Sequence, residues 1–71
     1  MKRGHAWTLK VGDVLLWDSE RWEVASVAIG RRMNEYEIVT PVDYENAVRV
    51  RRLVLKHHDT VTVEDAELRH N

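Results

Sequence analysis

Residues 15–24 read LLWDSERWEV, two apolar runs that meet tryptophan on either side of a polar segment, in a chain with three tryptophans and no phenylalanine. Apolar runs flanking Asp-Ser-Glu-Arg read as the arms of a β-hairpin built around a type I turn, with Asp18 placed to accept hydrogen bonds from the amides of its own turn. Symmetric pairing sets Trp17 across from Trp22, and such an aromatic pair adds roughly 0.2–1 kcal/mol to a hairpin. Side chains alternate along a strand, so Leu15 shares a face with Trp17, and Val14 shares the other with Leu16. Which pair faces the core decides the role of the tryptophans. With Leu15 inward they clamp the hairpin; with Val14 and Leu16 inward they form an exposed aromatic platform.

The rest of the chain repeats this β-rich texture. Short runs of valine, isoleucine, threonine and aromatic residues, each closed by a polar cluster, predict five strands: 13–17, 22–29, 36–42, 48–56 and 60–63. In the second run Trp22 and Val24 share one face while Ala25, Val27 and Ile29 share the other. A bend or bulge near Ala25 would turn both halves toward one interior. GRRMNE (30–35) reads as a charged surface loop. Pro41 ends the third strand or confines it to an edge, and an open edge there offers a site for pairing with a second copy. In the fourth run Val48 and Val50 oppose Arg49 and Arg51, and the phase then slips at Arg51–Arg52, a second bulge-like feature. A competing reading makes 44–56 a helix capped by Asp43, but the valines and the period-two opening favour the strand. EDAELR (64–69) reads as one closing helical turn.

The chain has 71 residues, 44% apolar and 32% charged, with 11 basic and 12 acidic side chains and a net charge of −1. It is expected to form one all-β domain over 1–71, with residues 1–8 flexible. A domain of this size buries only about 60% of the surface of its unfolded chain, so the core is thin. Cysteine is absent, which excludes disulfides and thiolate zinc sites and makes a cytoplasmic protein the expectation. A net charge near zero removes the simplest case for nucleic-acid binding by the whole surface. No run approaches the roughly 18 apolar residues of a membrane span.

Five short strands, a hairpin and two bends are what a curved sheet needs to close into a small barrel, and closure removes exposed edges. LKVGDVLLWDSERWEVASV (9–27) resembles the opening hairpin of SH3-like small barrels, the group that includes KOW, Tudor and Mu-type transposase C-terminal barrels. Val11, Gly12, Asp13, Val14, Leu16, Trp17, Trp22, Val24 and Val27 occupy the matching places, over about a third of the chain. The resemblance implies a five-stranded SH3-like barrel with one short C-terminal helical turn, acting as a binding module rather than an enzyme. The chain lacks the basic, glycine-containing loop of a KOW element, so RNA binding is not implied. A Tudor-type aromatic cage would have to draw on Trp17, Trp22, Tyr36 and Tyr44, whose spacing does not show convergence. Trp7 is expected to fold over an open end of the barrel.

Aromatic and arginine side chains are the types that anchor interfaces, so the expected partner surface combines Trp17, Trp22 and Tyr36 with Arg31 and Arg32. Arg49 and Arg51, with Arg52 and Lys56, form a basic stripe on the fourth strand, which Glu35 and Glu37 on the neighbouring strand are placed to neutralise. A protein partner is favoured over nucleic acid, and a small phage or mobile-element accessory protein docking onto another protein fits the size. The alternative is a nucleic-acid accessory protein whose arginines contact phosphates. His57 and His58 read as solvated loop residues rather than a metal site, because strand neighbours point to opposite faces. Ser19 and Ser26 lie in no nucleophile motif, so neither catalysis nor a cofactor is expected.

Overall fold

A computed structural model describes residues 2–40 and 49–65. They form six antiparallel strands, β1 (Lys2–His5), β2 (Val14–Trp17), β3 (Glu20–Ile29), β4 (Met33–Thr40), β5 (Arg49–Lys56) and β6 (Thr60–Val63), with a turn of 3-10 helix at Ala6–Thr8. The sheet order is β1-β6-β2-β3-β4-β5. The chain is thus all-β as expected, with six strands rather than five, and the sheet stays open, since β1 and β5 are its two edges and do not pair. Among the described residues no helix is long and apolar enough to cross a membrane. The expected helical turn lies mostly outside the described residues, as do Pro41, Tyr44 and the first part of the competing 44–56 helix. Residues 49–56 of that segment are strand.

The β2–β3 hairpin corrects the expected register. Its turn has two residues, Asp18 and Ser19, both with positive φ (55° and 64°), as the type I′ turn requires because its twist matches that of the flanking strands. Trp17 therefore pairs with Glu20, and Leu15 with Trp22. A four-residue type I turn would have set the tryptophans opposite each other. Two residues fewer in the loop shift the register by two positions, so Trp22 faces Leu15 instead of Trp17.

The bend expected near Ala25 is present. Val24 pairs with Ile38 and Ser26 with Glu37, so one extra residue sits in β3 between them. The bulge restores the inward phase, taking it from Trp22 and Val24 to Val27, which pairs with Tyr36 and packs on the core. The slip expected at Arg51–Arg52 is absent: β4 and β5 pair without a break from Met33–Lys56 to Thr40–Arg49. Leu53 and Leu55 are buried, and strict alternation then puts Arg49 and Arg51 on the same inner face. Val50, expected inward, is 63% exposed on the outer face.

Leu15, Trp22, Val24, Tyr36, Ile38, Leu53, Leu55 and Val61 form one core cluster, joined by Ala6 and Leu9 from the N-terminal segment. Burying each large side chain contributes roughly 1.5–3 kcal/mol. Lys2–His5 and Ala6–Thr8 supply β1 and the 3-10 turn, which packs against β4 and β5. β1 escapes a periodicity reading because Lys-Arg-Gly-His carries no apolar side chain. Its pairing with β6 runs from Lys2–Val63 to His5–Thr60 and is made by the backbone.

Candidate binding cleft

The curl divides the molecule into two ends. At the β2–β3 turn, Trp22 is only 1% exposed. Its indole Nε1 donates to the carbonyl oxygen of Trp17 at 3.0 Å. The guanidinium groups of Arg49 and Arg51 lie 5.4 and 5.3 Å from its ring centroid, a cation–π arrangement that seals this end of the core. Arg49 also pairs with Glu20, and Arg51 with Asp18 at 3.7 Å. Trp17 is half-buried and packs against the core. The expected aromatic platform is therefore not available as a surface. Trp22 and Tyr36 are interior, and Arg49 and Arg51 are occupied in covering Trp22.

Arg31 and Arg32 lie at the opposite end. Nine residue steps along β3, about 30 Å of extended chain, separate Glu20 from Ile29, so these arginines do not join Trp17 in one patch. The expected loop 30–35 is shorter than read, since β4 already begins at Met33. Gly30 makes the tight turn possible: a Cβ there would stand 2.3 Å from the carbonyl oxygen of Met33.

Three chain segments meet at this end. Ala6 and Trp7 donate backbone hydrogen bonds to the carbonyl oxygens of Asp59 (2.8 Å) and His57 (3.1 Å), and His57 donates in turn to that of Arg32 (3.1 Å). The β3–β4 loop, the β5–β6 turn and the 3-10 turn are thus tied together by main chain. Beneath them runs a buried polar network. Tyr36 Oη donates to the carbonyl oxygen of Ala6 and accepts from Asn34 Nδ2 at 3.0 Å. Asn34 Oδ1 accepts from the Gly30 amide at 3.1 Å. His57 Nε2 lies 3.0 Å from Asn34 Oδ1 and 3.1 Å from the Gly30 carbonyl oxygen. Both neighbours are acceptors, so Nε2 carries a hydrogen and donates. Asn34, only 4% exposed, therefore has its amide engaged at both ends, as a buried polar group requires.

Above this network opens a cleft of about 340 Å³, lined by Trp7, Ile29, Asn34, His57 and His58. Trp7 is 55% and Ile29 82% exposed. The His58 ring meets that of His5 edge to face at 5.6 Å. Trp7, expected to fold over an open end of a barrel, forms one wall of this cleft. A smaller depression of about 190 Å³ beside β1 has Lys10, Asp13 and Glu64 in its lining, which already pair among themselves or with Arg21.

The cleft offers apolar contact and hydrogen-bonding edges, and His57 Nε2 is committed to the oxygens beneath it. Among the described residues, no three histidine or carboxylate side chains cluster to hold a metal ion. Ser26, on the outer face, has its hydroxyl 3.5 Å from Glu37, and Ser19 is in the turn at the far end. Ile29, Asn34 and the histidines were not singled out as a site from the sequence. The signal was weak: an isoleucine ending a strand just before Gly-Arg-Arg, whose neighbours come from distant segments. No family model, curated protein or solved structure matches the chain.

Proposed function

We propose that this chain is a non-enzymatic binding module that docks onto another protein through the cleft between Trp7 and Ile29 and the adjoining Arg31–Arg32 loop. The observation that carries this reading is the pairing of a half-exposed tryptophan with a nearly fully exposed isoleucine over a polar network that holds their backbones in place. Large apolar side chains in a pre-formed depression are what interface anchors use, because little ordering remains to be done on binding. The basic stripe on β5 supports the nucleic-acid alternative poorly, since Arg49, Arg51 and Arg52 all lie in ion pairs. In fold terms, the meander β2-β3-β4-β5 with β6 returning beside β2, and the bulge at Ala25, favour an SH3-like small barrel extended by β1.

A photo-crosslinking amino acid at position 7 or 31, in cells that make the protein, is expected to capture a protein adduct that the same probe at position 54 on the outer sheet face does not. Identical adducts from all three positions, or adducts only to nucleic acid, would sink the reading.

A further inference from the structure

We infer that the partner presents an acidic peptide segment carrying one large apolar side chain, which enters the cleft while its carboxylates meet Arg31 and Arg32. The inference rests on the docking site proposed above and concerns the chemistry of what docks there.

Charge is distributed unevenly over a nearly neutral chain. Lys10, Arg21, Arg49, Arg51 and Arg52 each have a carboxylate partner within 4 Å. Arg31, Arg32 and Lys56 are exposed and, among the described residues, have no ion-pair partner. All three belong to the cleft's end of the sheet, because Lys56 pairs with Met33, the residue after Arg32. Of the acids nearby, Glu35 pairs with Arg52 at 2.9 Å, and Asp59, whose Oδ2 accepts from the Lys56 amide at 2.9 Å, offsets only one of the three charges. Among the described residues, the cleft's end of the sheet thus keeps cations without an ion pair, as β1 does at Lys2 and Arg3. A complementary potential both steers the encounter and rejects basic partners.

The apolar requirement follows from the walls. A volume of about 340 Å³ sits at the low end of the roughly 300–1,000 Å³ of small-molecule sites, room for one bulky side chain between Trp7 and Ile29. Single-stranded nucleic acid would also find an indole to stack on. However, the three cations at this end release about three counterions, which is little beside the 6–10 phosphate contacts of a strong nucleic-acid binder. The apolar Ile29 wall adds nothing for a base edge.

The test is selection of a random octapeptide display library on the purified protein, with octathymidylate binding measured in parallel. Selected peptides are expected to combine aspartate or glutamate with a single leucine, phenylalanine or tryptophan. They should bind at least tenfold more tightly than versions with amides in place of the carboxylates, and the Arg31→Ala/Arg32→Ala variant should erase that preference. Selected peptides without acidic enrichment, an unchanged preference in the double variant, tighter binding of octathymidylate, or no selected peptide at all would overturn the inference. Binding unchanged by Trp7→Ala would instead overturn the cleft as the docking site, so the two failures are distinguishable.

Discussion

The hydroxyl of Tyr36, in the middle of β4, donates a hydrogen bond to the carbonyl oxygen of Ala6 in the N-terminal 3-10 turn. Both residues are fully buried. Through this bond the turn that carries Trp7 is held against the sheet. Tyr36→Phe keeps the ring and leaves the Ala6 carbonyl its bond from the Leu9 amide, but strands one buried Asn34 N–H, which should cost about 1–3 kcal/mol. Urea unfolding measures it, and a loss below about 0.5 kcal/mol would mean the network does not bear on stability.

Asp18 and Ser19 both occupy the left-handed region without being glycine. That conformation costs a residue bearing a Cβ roughly 1–2 kcal/mol, so Ser19→Gly should stabilise the protein by up to about 1 kcal/mol. A lower denaturation midpoint in the variant would contradict the turn geometry.

Gly30 is required for space. A methyl group 2.3 Å from the Met33 carbonyl oxygen cannot be accommodated without moving the loop. Gly30→Ala is therefore expected to destabilise by about 1–3 kcal/mol and to shift the amide resonances of Arg31, Arg32 and His57. Unchanged spectra would show that the loop is not built this tightly.

Tryptophan fluorescence separates the three indoles. Trp22 is 1% and Trp7 55% exposed, so acrylamide should quench Trp7 strongly and Trp22 hardly at all. Trp7→Phe should remove most of the quenchable signal and leave the unfolding midpoint nearly unchanged, because little of the ring is in the core. Strong quenching that survives in the variant would place another indole at the surface.

Arg52 reaches Glu35 and Glu37 across the outer face of β4 and β5. The side chains are 68%, 45% and 43% exposed, and solvent screens such pairs heavily. Arg52→Ala should thus change stability by no more than about 0.5 kcal/mol. A larger, salt-sensitive loss in thermal unfolding would show the pairs to be coupled more strongly than exposed ones usually are.

Residue pattern exposes some of this architecture and hides the rest for identifiable reasons. The bulge at Ala25 is legible because apolar character changes face there, and the Glu35 and Glu37 pairing with Arg52 because opposite charges lie on adjacent strands. The hairpin register is not, because Asp-Ser lacks the glycine that usually marks a type I′ turn. Arg49 and Arg51 mislead in a different way. Arginine on an inner face breaks the apolar pattern, and only the position of Trp22 beneath the guanidinium groups explains why it is tolerated. The cleft assembles Trp7, Ile29, Asn34 and His57 from segments far apart in sequence, a convergence that no local pattern encodes.

The pairing of β1 with β6 brings together segments separated by almost the whole chain. Closing so long a loop is entropically expensive, and local hairpins such as β2–β3 and β3–β4 can form first. Zipping of β1, and with it the seating of the 3-10 turn, then belongs late on the folding pathway. Substitutions in Lys2–His5 should accordingly accelerate unfolding and leave the refolding rate nearly untouched, which makes the element carrying Trp7 the first to detach under stress.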